Sequence, residues 1–473
     1  MGISQILTRY IEICGSSNNA IIRRTKIDRS SFYKILNGKR IPTQEQAERI
    51  IRAMMLPYRE ENQLRDMLMR LVVGEREWED RKQVQLILQM LSEPELPVVT
   101  SMLGELQSDS EPIATGVSQT NQMLLRFIHE ALSNEEAALD FFVDVRNDGF
   151  FNNLKALCSL QTGRSVRLRQ LLQLPSGEGL PGEENQALKY FEEITYFFSM
   201  THIEFQSHYY YERMTRPGGI GVLFPYYLIS AQGVLLLNED FTSAYLLQDP
   251  KFCSLYREAF EAAFAKTKPV IHYLNYMEHA KALENHLEGV SFYPVFSVSL
   301  VATKERIYKY VKDPQMAEMF IRHCQILREK CPVRMYSTVE GMRHFADTGI
   351  IDELPPGLIS AISVADRISI LQDYRSFLGT RLFFVDEKQM PTSQRWAITV
   401  YEGDVMYLYR PLAEVNGISR VIAVSERNVI DAFSTFFNGL VEGAGLLDTE
   451  AAQQEVDRLI TELVDKTEKG NNE

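Results

Sequence analysis

Tyr209, Tyr211 and Tyr226, with Arg213 and Arg216 close to Gly218-Gly219, make an aromatic stretch with two cations at hand. Ligand sites are mostly apolar with a few placed polar groups, so this stretch is the candidate effector pocket, its arginines suited to an anion. Plainer readings stand beside it. Period-two alternation sends half of these aromatics into a core, and the arginines equally suit a solvated loop. Catalytic patterns are missing: the chain has no HExxH, no GxSxG, no GxxxxGK[ST] and no CxxC. His202 and His208, His272 and His279, and His279 and His286 lack the i, i+3 or i, i+4 spacing that puts two ligands on one helical face. Cys324 beside His323 reads as a packed thiol rather than a nucleophile. Gly177-x-Gly179-x-x-Gly182 fits a dinucleotide pattern, but no strand precedes it and Pro181 interrupts it, so it reads as a loop. The expectation is a protein that is not an enzyme, with no catalytic residue, no metal site and no cofactor.

Charge divides the 473 residues unevenly. Residues 1–59 hold 11 Lys/Arg against 4 Asp/Glu, a charge of +7, while the other 414 hold 39 against 59, a charge of −20. A basic head on an acidic body points to nucleic acid at one end. No apolar run approaches the ~18 residues of a membrane span, and no signal-peptide pattern opens the chain. Five scattered cysteines (Cys14, Cys158, Cys253, Cys324 and Cys331) do not make a disulfide framework. The expected setting is cytoplasmic, without a membrane partner.

The head must be helical. Ile3, Ile6, Leu7, Tyr10, Ile11 and Cys14 recur at helical spacing and end at Gly15. The polar run Ser16–Asn19 opens a second helix through Ile21 and Arg24, and Asp28 caps a third from Arg29 to about Leu36. Asn37-Gly38 closes it, and Thr43 caps a fourth helix through Met54. Pro57 precedes a fifth carrying Leu64, Leu68 and Leu71.

The stretch IDRSSFYKILNGKRIPTQEQAERI, residues 27–50, resembles the Cro/lambda-repressor-like (XRE-type) helix-turn-helix family, over roughly residues 3–72. The chain departs from that family where Lys26 stands for the usual glycine of the turn and Ile22 for a small residue. The resemblance implies that the third helix enters the major groove of double-stranded DNA. Arg29, Ser30, Tyr33 and Lys34 would then face the bases. Asn18, Asn37, Gly38, Lys39 and Arg40 would hold phosphates. It also implies a homodimer, because paired half-sites need paired readers.

Behind the head, Val84, Ile87, Leu88 and Leu91 continue a helical pattern, followed by helices expected around 121–140 and 150–173. From about residue 190 strand-like runs alternate with helices. Three stretches look like copies of one β-strand/helix module, beginning near residues 222, 292 and 396. Asp249-Pro250 and Asp313-Pro314 each open a helix in the first two. The fold class expected is α+β multidomain: an all-α helix-turn-helix head (1–72), a helical connector or dimerisation region (73–190), and a mixed α/β body (191–350 and 351–473) with repeats. The function expected is a sequence-specific transcriptional regulator whose acidic body senses a small-molecule or peptide effector. The alternative is an interaction protein of a defence or mobile-element setting, with the head as tether or autoregulator and the body capturing a partner.

Overall fold

The computed structural model describes residues 2–92, 111–144, 147–161, 163–175, 185–200, 202–212, 223–282, 289–293, 296–330, 333–351, 359–385, 396–401, 403–409, 421–442 and 445–470. It is an α+β chain: a helical N-terminal region followed by a mixed α/β body.

Six helices come first: α1 Ile3–Cys14, α2 Asn18–Thr25, α3 Arg29–Leu36, α4 Gln44–Met54, α5 Tyr58–Val73 and α6 Glu75–Ser92. Local chemistry fixes their ends. The side chains of Ser17, Asp28 and Thr43 accept N–H bonds from Ala20, Ser31 and Gln46, satisfying donors that a helix start leaves open. Gly15 at φ 63° ends α1, and Lys26 at φ 55° ends α2. The apolar faces close into one core around Tyr10, Ile21, Phe32, Ile35, Ile51 and Leu64.

The body is a tandem duplication. Unit 1 runs β1 Ile113–Thr115, α7 Val117–Ser133, β2 Ala138–Phe142, α8 Asp148–Ser159, β3 Val166–Pro175, α9 Gln186–Phe198 and β4 Ile203–Glu212. It continues with β5 Tyr226–Ser230, β6 Gly233–Leu237, β7 Ser243–Leu247 and α10 Pro250–Phe264. Unit 2 runs β8 Lys268–Leu274, α11 Tyr276–Ala282, β9 Val290–Tyr293, α12 Lys304–Tyr310, α13 Pro314–Gln325 with a π-helical turn after it, and β10 Arg334–Ser337. Then come α14 Val339–Thr348, α15 Val364–Arg375, β11 Leu382–Phe384, β12 Ala397–Tyr401, β13 Val405–Tyr409, β14 Val421–Val424 and α16 Arg427–Glu442. A final helix, α17, spans Thr449–Gly470.

All of these strands form one mixed sheet, in the order β1-β7-β6-β5-β2-β3-β4-β8-β14-β13-β12-β9-β10-β11. Each unit contributes seven neighbouring strands in the same internal order, first-seventh-sixth-fifth-second-third-fourth. Pairing directions also agree: the second, third and fourth strands run parallel, and every other pair within a unit is antiparallel. The units meet where β4 pairs antiparallel with β8. Because the joined strands run in opposite directions, unit 2 is turned over relative to unit 1. Helices α7, α8, α9 and α16 therefore share a core on one face. On the other face α10 covers a small core, and α12 to α15 with α17 cover a larger one. Alternation along single strands shows the two faces: Leu171 belongs to the α10 side and Leu172 to the α9 side.

The structure has two copies rather than three. The stretches near 222 and 396 are equivalent, each a three-stranded meander followed by a helix. The stretch near 292 is not: β9 leads into α12 and α13. Asp249 and Asp313 do cap helices with Pro next in line, but that is helix-start chemistry and carries no topology. The connector expected between 73 and 190 also contributes β1, β2 and β3. Strand β3 lies between parallel neighbours; its first half, VRLR, alternates buried with exposed or half-buried residues, but Gln170, Leu171 and Leu172 are buried in succession and break the alternation of a half-exposed strand. The divisions read at 190 and 350 fall inside the two units.

Candidate nucleic-acid interface

Along α3, steps of 100° place Arg29, Ser30, Tyr33 and Lys34 on one arc of about 140°, with Phe32 and Ile35 on the opposite side. Phe32 and Ile35 are sealed in the head core; Arg29, Ser30 and Lys34 are exposed and Tyr33 is half-exposed. The head core thus anchors α3 by one side and leaves the polar arc to solvent. The Arg29 guanidinium lies 5.8 Å from the centre of the Tyr33 ring, a cation–π contact that steadies both. At the start of α3 the Ser31 N–H donates to Asp28 at 2.9 Å; the Ser31 side chain first, and this N–H after it, hold the Asp28 carboxyl below its ordinary range.

Asn37, Gly38, Lys39 and Arg40 follow in an exposed turn. Gly38 sits at φ 69°, a conformation that suits glycine. The Arg40 guanidinium reaches back to the Ser31 hydroxyl at 3.5 Å, which sets the two side chains together at the head of α3. Asn18 differs from its companions. It is the first residue of α2, half-buried, with its amide oxygen turned inward and without a hydrogen-bond partner. Arg24 is a structural cation: it donates to the Ala53 carbonyl at 3.0 Å and ties α2 to the end of α4.

Helix α6 fastens the head to the body. Trp78 donates its ring N–H to Asp66 at 2.9 Å, and Lys82 also donates to Asp66. Arg70 bridges Asp66, Glu75 and Glu79 across the α5–α6 elbow. On the other side α6 packs against α9 and α16. Arg81 donates to the Gln44 side chain at 3.0 Å, and Gln44 donates to the Gly439 carbonyl at 3.2 Å. This linkage holds the head while the α3 arc stays uncovered.

Of the aromatic stretch, the described residues bring Tyr209 and Tyr211 together and set Tyr226 apart. Tyr209 and Tyr211 are neighbours on one face of β4, ring centres 5.2 Å apart. Tyr226 is on β5, three strand positions away, roughly 14 Å at the usual strand spacing. Its hydroxyl donates to Asp144 at 3.2 Å. Arg213 and Arg216 lie outside the described residues, as does the Gly177–Gly182 pattern. A residue that the sequence reading missed stands here instead: Glu426, fully buried just ahead of α16. It accepts bonds from the Tyr211 hydroxyl at 2.8 Å, the Asn428 amide at 3.0 Å and the Val429 N–H at 2.9 Å. Burial pushes its carboxyl above the usual range despite those donors. The signal was present as an acidic residue one position before an apolar helical run, the place of a cap.

Hollows among the described residues include the following two. An open cleft of about 480 Å³ at the α5–α6 elbow is lined by Gly74, Glu75, Asp80, Asn185, Asn428 and Asp431. An apolar void of about 20 Å³ lies among Val298, Ile307, Phe320 and Ile370, far below the size of an organic ligand. Neither is lined by the three tyrosines. Among the described residues no group of three or more His, Cys, Asp or Glu is arranged to hold a metal ion, and no helix is long and apolar enough to cross a membrane.

No protein-family model and no curated protein matches the chain. Among solved structures it matches a polyphosphate kinase from Porphyromonas gingivalis at 12% identity and a TM-score of 0.22, over 74% of this chain and 54% of that one. The chain thus spans little more than half of that enzyme's length. The match is not to a DNA-binding regulator, and against it the expectation of an effector-controlled transcriptional regulator, with its partner-capturing alternative, is withdrawn. At that TM-score the likeness carries nothing further about fold or activity.

Proposed function

We propose that the N-terminal head is a docking module for double-stranded DNA, with α3 as the element that enters the groove. The observation that carries this reading is the exposed arc of Arg29, Ser30, Tyr33 and Lys34 on a helix whose other side is locked in the head core. An arginine fork matches the two acceptors of guanine, and a serine hydroxyl both donates and accepts. Lys39 and Arg40, exposed in the following turn, suit phosphates. The excess of 11 Lys/Arg over 4 Asp/Glu in residues 1–59, against 39 over 59 elsewhere, favours contact by the head and repulsion of DNA by the body. The four described cysteines are free thiols, which supports a reducing, cytoplasmic setting. No regulatory output and no effector belong to this reading.

The test is selection of duplexes from a random pool with the full-length protein, followed by fluorescence anisotropy across a salt series. Arg29→Ala and Lys34→Ala should each weaken binding to the selected duplex by about 1–3 kcal/mol, roughly 5- to 150-fold, if they meet base edges. Lys39→Ala and Arg40→Ala should weaken all duplexes alike and lower the salt slope by about one each. Absence of DNA binding at low salt, or unchanged affinity in all four folded variants, overturns the reading.

A further inference from the structure

The duplication makes α10 and α16 counterparts, each the helix that follows its unit's last strand. Aligning their first residues, Pro250 and Arg427, pairs Phe252 with Val429, Leu255 with Ala432, Ala259 with Phe436 and Ala262 with Gly439. In unit 2 this stripe is buried where α6 and α9 pack on α16. In unit 1 the same stripe is bare: Phe252 is 57% and Leu255 59% exposed, and Ala259 and Ala262 are exposed as well. Helix α10 already buries a separate side through Cys253 and Phe260, so the bare stripe is a second apolar face.

We propose that α10 is the surface through which two copies of this chain associate, stripe on stripe and antiparallel, about a two-fold axis near residue 257. The stripe is symmetric in position about that residue: Phe252 and Ala262 lie five residues either side, Leu255 and Ala259 two. It is antisymmetric in size. An antiparallel partner therefore sets Phe252 over Ala262 of the second copy and Leu255 over its Ala259, large side chain into small, twice over. Such an isologous contact is self-complementary by construction, and antiparallel helices also oppose their dipoles favourably. A foreign helix would need a matching gradient of its own. One fifteen-residue helix on each side falls short of the roughly 20–30 residues and ~800 Å² per partner of a standard interface. The association is accordingly reversible and concentration-dependent. Glu258 stands one position from the axis, on the flank of the stripe, so two carboxylates face each other across it and oppose the pairing.

Sedimentation velocity of the full-length protein, without DNA and over a micromolar concentration series, tests this. The wild type should pass from one chain's mass to two. Leu255→Arg should stay at one throughout, with an unchanged melting temperature, since the side chain it replaces is mostly solvent-exposed. Glu258→Gln should move the midpoint several-fold lower, a gain that a folding defect does not produce. A wild type that remains one chain at every concentration overturns the proposal. So does a dimer that Leu255→Arg leaves intact or that Glu258→Gln weakens.

Discussion

The guanidinium of Arg81 lies against the backbone of Gly439, so close that a Cβ at that position would stand 2.5 Å from Cζ. Arg81 is buried and has little freedom to move aside, because it also donates to Gln44 and Glu77. Helix α6 of the linker and helix α16 of unit 2 meet at this contact, and through Gln44 it includes the first residue of α4.

Gly439→Ala sets two effects against each other. Alanine in a helix interior gains about 1 kcal/mol over glycine, whereas overpacking costs about 1–3 kcal/mol. With Arg81 held on both sides, overpacking should win. The variant is expected to melt lower and to expose the α5–α6 elbow to limited proteolysis. A rise in melting temperature would show that Arg81 moves freely.

Lys26 and Met55 carry the left-handed φ values of 55° and 51° at the ends of α2 and α4. That conformation costs an L-residue roughly 1–2 kcal/mol, against the 0.5–1 kcal/mol of chain entropy that glycine forfeits. Lys26→Gly and Met55→Gly should each stabilise the head by up to about 1 kcal/mol. Slower hydrogen exchange at the amides of α2 and α4 would report it, and faster exchange would count against the strain.

Glu426 is held protonated to higher pH in the fold than its ordinary value of 4.5, chiefly by burial. The folded chain therefore binds the proton more tightly than the unfolded one, and stability falls as pH rises from about 4.5 through the raised folded value. Glu426→Gln removes the charge but keeps a single acceptor oxygen, so either Val429 on one side or Tyr211 and Asn428 on the other lose a partner, a cost that does not vary with pH. Its stability relative to wild type should grow across that window, by about 1.4 kcal/mol for each pH unit crossed, and level off above it. A difference that does not change with pH would mean that the carboxyl is not desolvated.

His208 on β4 and His272 on β8 flank the seam between the units, and burial lowers both pKa values below 6.5. The His208 ring stacks on Phe264 with centres 3.8 Å apart and bonds to the Phe264 carbonyl at 3.0 Å. Unfolding lets both rings take up protons, so their contribution is intact above about pH 6.5 and is lost as pH falls toward the folded values. Acidification should lower the melting temperature, and His272→Leu should flatten the dependence. An equal slope in that variant would assign the effect elsewhere.

The head was legible in the sequence because its determinants are local: Ser17, Asp28 and Thr43 as caps, Gly15 and Gly38 as stops, and Phe32 and Ile35 as the inner side of α3. The body was legible only in pieces. The meanders β5–β7 and β12–β14 announce themselves through turns such as Gly403-Asp404. The parallel pairings of β2 with β3, or β9 with β10, join residues about 30 to 45 positions apart and leave no local mark. The tyrosine cluster was legible in part: alternation says that Tyr209 and Tyr211 share a face, but not that three strand positions separate them from Tyr226.

The join between the two units is of a kind that does not close on itself: β4 offers an edge, β8 accepts it, and β11 presents unit 2's counterpart of that offering edge. Repeated without limit, such a rule builds a filament. The chain ends the series within itself. Leu446 bridges to Val385, and the Leu447 N–H donates to the Phe384 carbonyl at 2.8 Å, taking up the margin of β11, while α17 lies over α14 and α15. A short segment beyond the second unit thus works as a terminator, and it keeps a modular sheet at two modules.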